Sequence, residues 1–288
     1  MTSLFDTLQS GLAQGALYAL VGLGLSLSLG MMKVINIAHG DLIVLGVSLA
    51  SAVAALSGLN ALACSAIVFP LMFGIGWLLQ RYLLNREDGT ALSPLLLTFA
   101  LSIVLQNLQQ EVLSPRAASI VSDPSKSMRV ASGAMLTETL PWLTVAVTVG
   151  LYALTGALMS STRWGRQLRA IADDPGTARL VGVNDKRLLA LTAGGILAVT
   201  SVAAIVHDAP SLTSSAGGSG LLLSALEAVF LAGPGSLWGT FIGGLVIGIV
   251  HALGQQAGAG LGEVCGHLVF LAALVVRPRG LFGRGVRP

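Results

Sequence analysis

The sequence predicts an all-α, polytopic helical bundle set in a membrane, and three observations carry that prediction. Only 10% of the 288 residues are charged and 54% are hydrophobic, whereas a water-facing domain carries about 25% charged residues. Too little polar surface remains to coat a globule, so much of the outside must face lipid. Apolar runs near the roughly 20 residues that cross a bilayer as helix recur along the whole chain. Finally, 36 glycines and few aromatics suit membrane helices, because small residues let their backbones approach. Helix follows because a spanning segment must satisfy its own backbone hydrogen bonds.

In chain order the spans fall at 11–31, 37–57, 61–81, 91–112, 140–160, 188–207, 236–253 and 260–276. The first is preceded by MTSLFDTLQS, which holds Asp6 and no basic residue. It lacks the positive region of a cleaved leader, so a retained span is expected. Between the sixth and seventh spans lies LLLSALEAVFLAG, 221–233, closed by Gly233-Pro234-Gly235. It is short, and reads as either a crossing or a re-entrant half-helix.

Charge favours the crossing. If 221–233 crosses and the N-terminus is outside, thirteen basic residues share one side: Lys33, Arg81, Arg86, Arg163, Arg166, Arg169, Arg179, Lys186, Arg187, Arg277, Arg279, Arg284 and Arg287. Only Arg116, Lys126 and Arg129 fall on the other, diluted by Glu111, Asp123 and Glu138. The basic side is cytoplasmic, which gives nine crossings, with eight as the alternative. The chain reads as a single transmembrane domain, 1–288, with a cytoplasmic loop at 163–187 and its largest exterior loop at 113–139. Both halves pair a Gly-rich span with a polar break and a second apolar segment, the arrangement of an inverted repeat.

Polar residues inside this apolar chain mark where function can lie. In INIAHGDLIVLG, residues 35–46, Asn36, His39, Gly40 and Asp41 stand between two apolar segments. One reading is a broken helix whose N-terminus turns its N–H groups and positive dipole end toward a polar ligand. The other is an ordinary turn with Asn36 or Asp41 as a helix cap. In RWGRQLRAIADDPGTARLVGVNDKR, 163–187, Leu168, Ile171 and Ala172 fall at helical spacing in a basic background, before Pro175-Gly176. A short amphipathic helix along the membrane is expected, with one face toward the bilayer or a soluble partner; the alternative is a charged loop at the lipid headgroups, and a docking element is favoured.

Glu227, His251, Glu263 and His267 are ionisable residues in apolar runs, and such residues are functional by default in lipid. A proton relay would use several; only Glu227 lies deep within its run. Cys64 and Cys265 sit in apolar segments and read as inert buried thiols rather than a disulfide or metal pair. No GxxxxGK[ST], HExxH, GxSxG or CxxC occurs. No catalytic or metal residues are therefore expected, nor a nucleotide site in this chain.

INIAHGDLIVLG, LLLTFALSIVLQN (95–107), GRQLRAIADDPGTARLVGV, GSLWGTFIGGLVIGIVHAL (235–253) and RPRGLFGR (277–284) follow one another in this order. Together they resemble the permease subunits of branched-chain amino-acid ABC importers, to which the urea permeases are similar. The resemblance covers nearly the whole chain. It implies an inner-membrane importer subunit that pairs with a second homologous permease, sits on two ATPase subunits that bind the ATP, and receives substrate from a periplasmic binding protein. The cargo it implies is a branched-chain or related amino acid, with urea or short amides as the alternative. A secondary carrier without an ATPase is the reading from a different class. On the resemblance, Asn36, His39, Gly40, Asp41, Glu227, Gly233 and Gly235 lie by the translocation pathway. Gly165, Arg166, Arg169, Ala170, Asp174, Ala178 and Gly182 match the loop gripped by the ATPase. The turn Ala232-Gly233-Pro234-Gly235-Ser236, Glu227 itself and the polar run 207–220 depart from the family's usual pattern, and bear on substrate identity.

Overall fold

The computed structural model describes residues 4–33, 35–59, 61–86, 92–113, 140–212, 217–258, 260–278 and 280–282. Residues 114–139, with Arg116, Lys126 and Arg129, and the arginines 279, 284 and 287 lie outside the described residues. The helices are α1 (Leu4–Leu27), α2 (His39–Ser57), α3 (Ala61–Leu78), α4 (Leu92–Leu108), α5 (Leu140–Ser161), α6 (Arg163–Asp173), α7 (Pro175–Leu180), α8 (Asp185–Leu212), α9 (Gly217–Ala232), α10 (Leu237–Ala257) and α11 (Leu261–Val276). Among the described residues no strand occurs. Six helical stretches are long and apolar enough to cross a membrane, and three apolar helices, His39–Ala54, Gly218–Ala232 and Leu261–Val276, are shorter. Only α6 and α7 are polar. The bundle is the all-α membrane fold that the composition predicts.

Two boundaries differ from the sequence reading. The first helix begins at Leu4 rather than near Gly11, because Thr7 is already buried and Asp6 suits the positive end of the helix. The polar run 207–220 is largely helix: α8 continues to Leu212 and α9 begins at Gly217. Ser and Gly there lower helix propensity without breaking a helix that has packing partners.

Contacts divide the chain into two compact units, one of residues 1–31, 139–162 and 221–288, the other of residues 32–138 and 163–220. In the first, α1 lies antiparallel to α10 along a seam of small residues. Gly11 faces Ala252, Gly15 faces Gly244 and Leu245, and Gly22 faces Thr240. A Cβ on Gly244 would stand 2.6 Å from the Ala19 nitrogen, and one on Gly248 would run into the Gly15 backbone. Spacings of three and four keep these residues on one face of each helix, so the two backbones touch. The Tyr152 hydroxyl on α5 donates to the Ala19 carbonyl oxygen at 2.6 Å, tying a third helix to the seam. Helix α9 runs antiparallel to α10, with the Ala228 carbonyl against Gly243.

In the second unit the same device joins α3 to α8. A Cβ on Gly76 would lie 3.0 Å from the Ala193 carbonyl oxygen, and one on Gly194 2.7 Å from that of Phe73. Helix α2 completes the group, with Gly46 against Ser201.

Overpacking such a seam costs about 1–3 kcal/mol or more. Gly244→Leu is therefore expected to abolish a monodisperse peak in detergent size-exclusion chromatography. Gly150→Leu, at an exposed site on α5 with nothing within 4 Å of its added Cβ, is expected to elute as the wild type. Equal behaviour of the two variants would remove the seam from this account.

Candidate functional site

The polar break belongs to the second unit. Helix α1 ends in a π-helical turn, Ser28–Met32, and Lys33 follows with φ 54, the left-handed region that a side chain rarely adopts. The chain then turns through Asn36, whose carbonyl accepts from the His39 amide at 3.2 Å, into α2. Ala38 is the N-cap residue of α2 and no side chain caps it. Neither Asn36 nor Asp41 is the cap that an ordinary turn would use.

Asp41 instead turns to α4. Its carboxylate accepts from the Ser102 hydroxyl and, at 3.3 Å, from the Gln106 amide, while the Gln109 amide donates at 2.8 Å to its carbonyl oxygen. Thr98, one turn before Ser102, accepts from the Ile37 amide at 3.3 Å. Gly218, in the first turn of α9, lies so close that a Cβ there would run into the Asp41 carboxylate. A negative charge against a helix N-terminus is favoured by the macrodipole. Asp41 is thus a tie between α2 and α4.

Asn36 and His39 are different. Their Oδ1 and Nε2 atoms are buried and have no hydrogen-bond partner among the described residues. A buried polar atom left unpaired costs about 1–3 kcal/mol, so these two atoms can hydrogen-bond a polar guest while Asp41 is already satisfied. Gly40, between them and Asp41, is buried.

The loop 163–187 folds as α6 and α7. Gly165, Leu168 and Ile171 are the buried face of α6, Trp164 donates to the Thr192 hydroxyl on α8 at 3.1 Å, and Arg166, Arg169 and Ala170 face outward. Asp174 caps α7: its Oδ1 accepts from the Gly176 and Thr177 amides at 2.8 and 3.2 Å, and its Oδ2 from the Thr177 hydroxyl at 2.5 Å. These bonds, the hydroxyl first, hold the carboxyl below the usual aspartate range. Pro175, which has no N–H to lose, occupies the first helical position.

Gly182, with φ +86, ends α7. Its amide bonds the Arg179 carbonyl and that of Val183 bonds Ala178, both at 3.0 Å, the Schellman pattern that needs a left-handed residue at this position. Ala178 is buried. Arg179 forms an ion pair with Asp185 at 2.6 Å. Leu180 and Val181, 88% and 73% exposed, form an apolar tip that sequence reasoning missed. Its signal was two large apolar residues in a cytoplasmic loop, outside the apolar period of α6.

Glu227, Gly233 and Gly235 belong to the first unit, and the break at 35–41 to the second. Gly233 and Gly235 have φ +98 and +86, which the turn between α9 and α10 requires, and Gly30 packs on Gly235. The segment RPRGLFGR has a local duty here. The amides of Leu281 and Phe282 donate at 2.8 Å to the Leu231 and Ala232 carbonyls, which end α9 and lack helical partners.

A helical membrane bundle with a solvated amphipathic pair of helices and partnerless polar atoms at a broken helix is the architecture of a transport permease. The chain matches, over residues 7–276, the family described as the branched-chain amino acid transport system, permease component. It is 27% identical to the high-affinity branched-chain amino acid transport system permease protein BraD of Pseudomonas aeruginosa, over 99% of this chain and 98% of that one. It is 26% identical to the LivH permease of Escherichia coli K12, over 96% and 94%. A probable branched-chain permease of Methanocaldococcus jannaschii is 25% identical, over 96% and 91%. No solved structure matches the chain. The chain belongs to this permease family and is a multi-pass inner-membrane protein of an ABC transport system, a kind of system that works with ATPase and binding-protein subunits.

Asp41→Ala is expected to lower the thermal midpoint of the purified chain by several degrees, since Ser102 and Gln106 lose a buried acceptor. His39→Ala, which removes a group with no partner, is expected to leave the midpoint close to wild type. Differential scanning fluorimetry decides; a larger drop for His39→Ala would reverse the roles given to the two residues.

Proposed function

We propose that this chain is the translocation subunit of an importer for branched-chain or closely related amino acids. It works beside a second homologous permease and is driven by ATP bound and hydrolysed in two separate ATPase subunits. A periplasmic binding protein delivers the cargo. The observation that carries the reading is the α6–α7 element: its inner face is packed, its ends are fixed by Asp174 and Gly182, and it offers Arg166, Arg169, Leu180 and Val181 to solvent. A carrier working alone has no use for such a platform. The absence of a phosphate-cradling loop from the sequence supports an ATP site in a partner. Cargo passes by the break at 35–41, where Asn36 and His39 offer hydrogen bonds that the fold leaves open. Motion reaches the spans through Trp164 and Thr192, which link α6 to α8.

Arg169→Glu and Leu180→Asp, each exposed, are expected to insert at wild-type levels, to lose most of the co-purifying ATPase, and to lose uptake with it. His39→Ala is expected to keep the ATPase while uptake falls. Pull-down and radiolabelled amino-acid uptake from the same membranes read both outcomes. Full uptake by the docking variants, or uptake in cells lacking the ATPases, would favour the secondary carrier.

Nine crossings place residues near Arg179 and Arg284 on the cytoplasmic face and 114–139 on the other. Single cysteines at these places are expected to react with an impermeant maleimide accordingly in sided vesicles. Labelling of the Arg179 and Arg284 regions from opposite sides would establish eight.

A further inference from the structure

Glu227 has a second identity, independent of the cargo. On α9 it is 4% exposed, and its Oε1 meets Nδ1 of His267 on α11. The His267 ring lies edge-on to that of His251 on α10, with centroids 6.5 Å apart. His251 is 1% exposed and its Nδ1 meets the Tyr18 hydroxyl on α1 at 3.0 Å. Gly266 makes room for this: a Cβ there would run into the His251 ring. The other ionisable side chains on these elements are Asp6 on α1, Glu263 and Cys265 on α11 and Tyr152 on α5; α9 and α10 carry none beyond Glu227 and His251.

Charge accounting restricts the pair. No Lys or Arg lies on α1, α5, α9, α10 or α11, and among the described residues the basic group that Glu227 meets is His267. With one proton between them the pair is neutral overall; with none or two it carries a net charge in an apolar bundle, which is costly. The position of that proton follows from the second carboxyl oxygen. Oε2 of Glu227 is buried and has no hydrogen-bond partner among the described residues. An ionised carboxylate would leave half its charge there without a hydrogen bond. A carboxylic acid with its proton on Oε1 leaves only a neutral carbonyl oxygen, and that costs far less.

We propose that Glu227 is a carboxylic acid at neutral pH, donating its Oε1 proton to Nδ1 of His267, and that loss of this proton as pH rises opens the tie between α9 and α11. The O–H bond breaks, hydroxide takes the proton and becomes water, and the carboxylate left behind has the neutral His267 imidazole beside it. Its charge then draws water into the helix contact. The sign is that of a group kept protonated by folding: its stabilisation is present below the transition and lost above it.

The test uses the full-length chain in lipid nanodiscs. Infrared difference spectra of the wild type at neutral pH are expected to show a protonated-carboxyl band, sensitive to D2O, that is missing in Glu227→Gln. Raising the pH is expected to remove the band and, with it, to lower the wild-type thermal midpoint by a few degrees. Glu227→Gln, whose amide still donates to Nδ1, is expected to lack that pH-dependent drop. Should this variant fail to fold, 13C-glutamate labelling of the wild type shows whether the band comes from a glutamate, and Glu227 is the buried glutamate among the described residues. No glutamate-derived carboxylic band at neutral pH, or the same alkaline loss of stability in both proteins, would overturn the proposal.

Discussion

Direct contact between the backbones of α1 and α10 is the constraint on which the first unit rests. Lipid offers no hydrophobic force to press one apolar helix on another, so association depends on close van der Waals approach. Gly15 and Gly248 bring that approach to its limit. Once the two helices touch, Thr7 meets Gln256, and Tyr18 reaches His251. Tyr152 can then use the Ala19 carbonyl as an acceptor, although that oxygen belongs to a helix whose own bonds are complete. The polar contacts of this unit follow from a seam that contains almost no polar side chain.

The second unit shows two fates for polarity in apolar surroundings. Asp41 is surrounded by donors from one helix, Ser102, Gln106 and Gln109, spaced so that each falls near the same face of α4 or its extension. That spacing makes it a fastener. Asn36 and His39, a few residues earlier, keep polar atoms without partners among the described residues, beside the start of α2 that no side chain caps. An unpaired buried polar atom is costly to the fold, and this sets Asn36 and His39 apart from the satisfied Asp41.

The α6–α7 element is governed by neither lipid nor a seam. Its ends are set by rules that act within a few residues: a carboxylate accepting the first amides of α7, a proline where no amide is needed, and a glycine where the chain must turn left-handed. Because these rules are local, the element keeps its shape while exposing Arg166, Arg169, Leu180 and Val181 to water. Trp164 anchors this exposed element to α8 through Thr192.

The sequence by itself determined the fold class, the run of apolar helices and the amphipathic α6 that ends before Pro175-Gly176. Each follows from periodicity, composition or a cap acting over one or two turns. It also singled out Asn36, His39, Asp41 and Glu227 as misfits, because ionisable and amide side chains are rare in apolar runs. Their roles were decided only by tertiary structure. Whether a misfit is a fastener or an open site depends on what faces it. Ser102 and Gln106 face Asp41 from more than sixty residues away in the chain, and His267 faces Glu227 from forty. The same holds for the glycines: many were visible, but which of them form a seam was fixed by the pairing of α1 with α10 and of α3 with α8. Helix periodicity reports the face of one helix, and carries no information about its partner.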